Sequence, residues 1–288
     1  MTAPRFTAAC LQMRSGRDPL KNRDDAVALA REAAAAGAHF VQTPEMTSLL
    51  ERDRAAFREK VGPEGSDPTL QALREVARER RIVVHIGSIP VQAGDKVANR
   101  AFLIDADGEI VTSYDKVHLF DVDLPNGESW RESATYSGGD RAVLAETPWG
   151  LLGLTICYDV RFAALYRTLA ENGASFLSAP AAFTRQTGEA HWHVLHRARA
   201  IETGSFMISA AQAGRHEDGR ETFGHSLIVD PWGRVMAEAG TKPGVILAEI
   251  DPAAVADARG RIPALKNARP FKVEVFSAPA PRKKAATA

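Results

Sequence analysis

The order of strand and helix signals runs twice through this chain, and that duplication limits the possible folds more than any single residue does. In the first half, residues 6–13 have the apolar density of a strand. Residues 22–36 carry an apolar stripe at Ala26, Leu29, Ala30 and Ala33 and stop at Gly37, which predicts a helix. A short strand over 40–43 runs into Pro44-Glu45. Pro68 opens a helix to about residue 80 behind a Ser66/Asp67 cap, and residues 82–89 form a buried strand. Residues 99–105 and 109–114 flank Ala106-Asp107-Gly108, a hairpin signal. The second half repeats the series: a strand over 150–157, a helix over 161–172 ended by Gly173, a strand over 175–178, a helix over 191–202 and a strand over 206–212. A hairpin follows around Pro231-Trp232-Gly233, then a strand over 245–250 and a short helix over 253–259. Alternating strands and helices define an α/β protein. Two like halves fit two sheets packed face to face with helices outside; a single doubly wound sheet also fits the alternation.

At 288 residues and 45% hydrophobic content the chain can bury a sizeable core. No linker-like composition interrupts it, so we expect one domain over residues 1–276 and a disordered basic tail, SAPAPRKKAATA, over 277–288. Residues 271–276, just before that tail, are a candidate docking segment. Thirty-six basic and 36 acidic residues balance, which excludes the charge signature of a nucleic-acid partner or an anionic membrane. No apolar run reaches membrane-spanning length, and the first thirteen residues lack a signal-peptide pattern. Cys10 and Cys157 make no disulfide framework, so the expected compartment is the reducing cytoplasm.

Cys157 ends the apolar run that starts at Gly150, immediately before the polar turn Tyr158-Asp159-Val160-Arg161. A strand–turn–helix corner lifts its side chain toward a pocket, and a nearby helix N-terminus favours negative charge. Glu45 and Lys116 also stand at or just past strand ends, where α/β sheets place their ligand sites. The long irregular stretch over 116–140 has the length of a functional loop. Singly, each residue has an ordinary reading: a buried thiol, a turn acid, a solvated lysine. Together they supply what amide cleavage needs. A base takes the thiol proton, a cation and a backbone N–H hold the oxyanion, and the acid returns its proton to the leaving amine.

Three segments carry a family resemblance: Thr43-Pro44-Glu45-Met46, Tyr114-Asp115-Lys116-Val117-His118-Leu119-Phe120, and Thr155-Ile156-Cys157-Tyr158-Asp159-Val160-Arg161-Phe162. In this order they resemble the nitrilase, or carbon–nitrogen hydrolase, superfamily, from Phe6 to about Pro270. The resemblance implies a four-layer α-β-β-α sandwich of two mixed sheets, usually paired into a homodimer or higher homo-oligomer. It assigns Glu45, Lys116 and Cys157 as the catalytic set and Glu132, in Arg131-Glu132-Ser133, as a second glutamate, with Glu128 its rival. The Tyr158 N–H is the expected oxyanion donor.

The segments 210–216, 223–226 and 229–233 are most similar to the deaminated-glutathione amidase branch. That branch implies a small linear amide substrate, cleaved through a Cys157 thioester to 2-oxoglutarate and cysteinylglycine. The alternatives are an ω-amidase on 2-oxoglutaramate, an N-carbamoyl-amine hydrolase and a non-catalytic binding relative. An acidic substrate calls for a cation, and Arg161 and Arg215 are the candidates; pairing of Arg161 with Asp159 or a nearby acid, fixing the turn, is the competing structural reading. No cofactor is implied. His191, His193 and His196 share one predicted helix, but the spacing of two between His191 and His193 places side chains on different faces and no Cys or acid joins them at zinc-ligand spacing, so no metal site is expected. A Cys–His protease would recruit His118 or His225. Cys10, inside the first strand, is expected in the core.

Overall fold

The computed structural model describes residues 3–125 and 127–277. From residue 278 onward the expected tail lies outside the described residues.

The first half consists of β1 (Phe6–Gln12), α1 (Pro19–Ala35), β2 (Phe40–Gln42), α2 (Arg54–Lys60), α3 (Pro68–Arg80), β3 (Val83–Ala93), β4 (Lys96–Ile104) and β5 (Ile110–Asp115). Short strands β6 (Asp121–Asp123), β7 (Ser129–Arg131) and β8 (Tyr136–Ser137) occupy the expected loop. The second half brings β9 (Val143–Thr147), β10 (Gly150–Leu154), α4 (Ala163–Glu171), β11 (Ala174–Ser178), α5 (Arg185–Thr203) and β12 (Phe206–Ser209). It ends with β13 (Ala213–Arg215), β14 (Glu221–Phe223), β15 (Leu227–Val229), β16 (Val235–Glu238), β17 (Gly244–Ile250) and α6 (Ala253–Arg261).

The strands form two separate main sheets, in the orders β17-β1-β2-β3-β4-β5 and β16-β15-β12-β11-β10-β9, so the doubly wound alternative falls. Each has parallel central strands and antiparallel flanks. Alternation along β1 sorts its residues between two cores. Ala9 and Leu11 pack with Ala26, Ala30 and Ala33 of α1 and Leu70, Leu73 and Val76 of α3. Ala8 and Cys10 face the other way, into the core shared with Leu152, Leu154, Phe176 and Phe206 of the second sheet. That core extends beneath α4 and α5 through Tyr166, Leu169, Trp192 and Ala200. The order is helix, sheet, sheet, helix: an α-β-β-α sandwich.

The helix caps are local. Asp18 and Asp67 accept from the first free N–H groups of α1 and α3, each followed by a proline at the first helical position. Among the boundaries that differ from the sequence reading, two bear on the site. α5 begins at Arg185, capped by Thr184, six residues earlier than its apolar pattern predicts. The helix after Cys157 begins only at Ala163, because Cys157–Arg161 winds as a 3-10 turn.

Candidate active site

Glu45 lies three residues beyond β2, Lys116 directly after β5 and Cys157 three residues beyond β10. Two of these corners carry left-handed backbone: Met46 at φ 55° and Cys157 at φ 49°. Such angles are costly for residues with a Cβ and persist only where packing dictates them. At Gly87 of β3, a Cβ would collide with the Thr43 carbonyl oxygen and with Pro180, so glycine lets the ends of the two sheets meet there. Asp159 fixes the turn below the thiol. It accepts from Tyr114 Oη at 2.7 Å, the Ile156 N–H at 2.9 Å and the His118 N–H at 3.0 Å, and its Oδ1 lies 2.7 Å from His118 Nδ1.

These supports bring the ionisable groups together. Lys116 Nζ donates to Glu45 Oε1 at 2.8 Å and to Glu132 Oε2 at 2.9 Å. Asn99 Nδ2 also reaches both acids, at 2.9 Å and 3.1 Å. Glu45 Oε2 accepts the Ala182 N–H at 2.8 Å, and Glu132 Oε2 accepts the Phe120 N–H at 2.6 Å. The Cys157 thiol shares a cavity with Glu45 and Lys116, near enough to feel both charges. Its own N–H is occupied by the Pro180 carbonyl at 2.9 Å, while the Tyr158 N–H has no acceptor among the described residues.

Burial and charge oppose each other here. Burial pushes the Glu45 carboxyl up, but Lys116, Cys157 and Asn99 outweigh it and hold it below the usual range. Burial would depress Lys116, yet Glu132 and Glu45 keep its ammonium charged well past the ordinary range. Burial, reinforced by the Glu45 charge, pushes the Cys157 thiol up. The helix-terminus expectation of a lowered thiol is therefore wrong: α4 starts too late, and the nearest charge is a carboxylate. The resting pair is a thiol beside a carboxylate. Proton transfer from the thiol to the carboxylate is uphill in this resting arrangement.

A cavity of about 320 Å³ opens over Glu45, Lys116, Glu132, Asn99 and Cys157. Glu132 reaches Lys116, while the exposed Glu128 faces Trp130 Nε1 at 3.3 Å. Neither Arg161 nor Arg215 lines this cavity. Arg161 Nη1 lies 3.2 Å from His191 Nδ1, and its guanidinium sits over the Tyr158 and Phe183 rings, so it pairs with neither substrate space nor Asp159. Arg215 is exposed on β13. The cavity's guanidinium groups are Arg52, Arg54, Arg131 and Arg220, which sequence reasoning missed along with Asn99. Arg52 and Arg220 lie over the Trp130 ring at 4.5 and 5.3 Å. Arg131 and Arg220 already hold Asp123 and Asp218.

The remaining candidates have other partners. His118 pairs with Asp159, and His225 with Glu238. His196 is buried against the Trp192 carbonyl, its imidazole pushed down to about 3 by burial. Cys10 is fully buried, its thiol pushed up to about 12. No described helix is long and apolar enough to cross a membrane.

The family model for carbon-nitrogen hydrolases matches residues 7–260. The chain belongs to the carbon–nitrogen hydrolase family. It is thus a hydrolase acting on carbon–nitrogen bonds other than peptide bonds, on the nitrilase fold. This carbon–nitrogen hydrolase is 40% identical over 267 residues to a deaminated glutathione amidase of Synechocystis sp., covering 91% of this chain and 97% of the relative. It is 36% identical over 266 residues to the omega-amidase NIT2 of Mus musculus, covering 92% and 95%. Among solved structures it superposes with a TM-score of 0.77 on an amidase from Nesterenkonia sp., at 27% identity, covering 93% of this chain and 97% of that one. That structure, of a glutamate-to-glutamine mutant, carries the acetamide moiety of fluoroacetamide covalently on its active-site cysteine.

Proposed function

We propose that this hydrolase is a thiol amidase that cleaves deaminated glutathione, releasing 2-oxoglutarate and cysteinylglycine, with Cys157 as nucleophile. The observation that carries this reading is the convergence of the Cys157 thiol, the Glu45 carboxylate and the Lys116 ammonium in one cavity. Glu45 takes the thiol proton as the sulfur bonds to the amide carbon. Lys116 and the Tyr158 N–H hold the oxyanion, a class of interaction worth about 3–4 kcal/mol per donor. The intermediate collapses as Glu45 passes the proton to the departing amine nitrogen, leaving a thioester on Cys157. Glu45 then deprotonates a water that attacks the thioester; the acid departs and the thiol recovers its proton. Glu132 and Asn99 hold Lys116 and Glu45 in register throughout. The substrate's carboxylates meet the guanidinium groups at the cavity mouth, foremost Arg52 and Arg54.

The substrate assignment is supported by the 40% identity to a deaminated glutathione amidase across nearly the whole chain. The same reading places the enzyme in the cytoplasm, in keeping with two unpaired cysteines, as one domain over residues 1–276. It also makes the enzyme a homodimer, supported by exposed Val194 and Ile201, seven residues apart on α5, and nearby Trp232. Turnover should be compared for deaminated glutathione, 2-oxoglutaramate and N-carbamoyl amines, with intact-mass detection of the acyl adduct. The expected result is highest kcat/KM for deaminated glutathione and an adduct at Cys157. An adduct with preference for 2-oxoglutaramate overturns the substrate; no adduct and no turnover of any of the three overturns the amidase reading. Light scattering at micromolar protein checks the dimer.

A further inference from the structure

Spacing along α5 separates its histidines, but the fold brings one of them to two residues from elsewhere. His193 of α5, His225 between β14 and β15, and Glu238 at the end of β16 present three ligand atoms that all lie within 4.8 Å of one another. His193 Nε2 and His225 Nδ1 both point at the same oxygen, Glu238 Oε1, each at 2.8 Å. We propose that these three residues form a binding site for a divalent borderline metal ion, with zinc the best match.

The donor set selects the metal. Two imidazole nitrogens and a carboxylate suit zinc and its neighbours, whereas magnesium and calcium prefer oxygen donors. Zinc bonds of about 2.0–2.1 Å in a tetrahedron require donor atoms about 3.3 Å apart. The side chains therefore need to open by roughly half an ångström from their hydrogen-bonded spacing. All three are about a quarter to a third exposed, which leaves room for that adjustment and for water as a fourth ligand.

The scaffold around the site is already ordered. The His225 ring stacks on Phe223 with centroids 4.3 Å apart, and the His193 ring meets the same Phe223 edge-on at 6.1 Å. Trp192 Nε1, next to His193, donates to the His225 carbonyl at 2.7 Å. Both imidazoles are thus oriented by neighbours that do not depend on the ion. An ion here would join His193 of α5 to the β14–β15 connection and β16, 32 or more residues further along the chain. Thr222, three residues before His225, lines the catalytic cavity.

The test uses full-length protein carrying Cys157→Ala, because the active-site thiol is itself a zinc ligand. Zinc is titrated against a chromophoric chelator, and thermal unfolding is followed with and without zinc. The expected result is one equivalent bound, a higher Tm with zinc and no response to magnesium. Adding His193→Ala or Glu238→Gln should weaken binding by more than about tenfold and abolish the zinc-dependent rise. Glu238→Gln keeps the size of the side chain and decides the matter should His193→Ala fail to fold. Absence of zinc binding in the Cys157→Ala protein, or binding unchanged in the Glu238→Gln variant, overturns the site.

Discussion

Glu45 and Lys116, at the floor of the cavity, are almost wholly buried, whereas Arg52, Arg54 and Arg131, at its mouth, are exposed. The floor residues follow strands of the main sheets and each has several hydrogen-bond partners. The mouth is built from the start of α2 with the residues before it and from β6–β7, a two-stranded ribbon outside both main sheets. Charges at the floor act in a poorly screened environment, and their geometry is set by the sandwich core. Charges at the mouth are screened by water and can change without disturbing the core. On the proposed function, bond-breaking chemistry and substrate choice reside in parts of the molecule with different tolerance of mutation.

The sharpest test of that division is Cys157→Ala, which should lower kcat by more than about 10⁴-fold and abolish the acyl adduct in intact-mass spectra. Its stability should change little, since one small buried sulfur is lost.

Lys116→Met should come next. It removes an oxyanion donor, expected to lower kcat by about 10²–10³-fold, and leaves Glu45 and Glu132 facing each other without a cation. Breaking a buried ion pair from one side typically costs about 3–5 kcal/mol, so urea unfolding should show a large loss as well. A variant with normal stability would mean that the floor is less dependent on this charge than its burial implies.

Asn99→Ala should act mainly on pH dependence. Asn99 donates to the ionised Glu45, so its removal should raise the Glu45 pKa and move the acid limb of the kcat/KM profile to higher pH. The sign for stability follows from the same shift. A carboxyl held below its unfolded value contributes stability that is present above that value and lost as pH falls through the folded pKa. The Asn99→Ala protein should therefore lose less stability on acidification than the wild type does.

The smallest effects belong to the mouth. Arg52→Ala should raise KM for a dianionic amide by about tenfold, in line with a charge-assisted hydrogen bond, and leave kcat nearly unchanged. Arg215→Ala, outside the cavity, should change neither. Steady-state kinetics with charged and neutral amides checks both, and a large kcat effect at Arg52 would erase the distinction between floor and mouth.

Sequence reading reached the floor more readily than the mouth, for a physical reason. Glu45, Lys116 and Cys157 each sit beside an apolar run that ends, so the strand pattern points at them. Asn99 lies inside β4, where its periodicity marks it only as a strand residue; its reach to Glu45 and Glu132 depends on how two hairpin strands register with distant loops. Arg52 precedes a seven-residue helix with one buried side chain, Phe57, too weak a pattern to register. Arg215 shows the converse error. It sits in a segment that supported the family resemblance, yet β13 carries it to the surface. The 3-10 turn after Cys157 was hidden because a 3-10 and an α-helical start share the same polar residues, and the burial and the Glu45 charge that push the thiol up were hidden because they depend on tertiary packing.

The protonated state of Cys157 also bears on chemical survival. Peroxide attacks thiolates that solvent can reach, and Cys157 is only 7% exposed and held as a thiol. It should be inactivated by hydrogen peroxide more slowly than a free cysteine, as residual activity after timed exposure would show. The nucleophile becomes reactive only when an amide carbonyl stands beside it, so the resting enzyme is spared the irreversible climb to sulfinic and sulfonic acids.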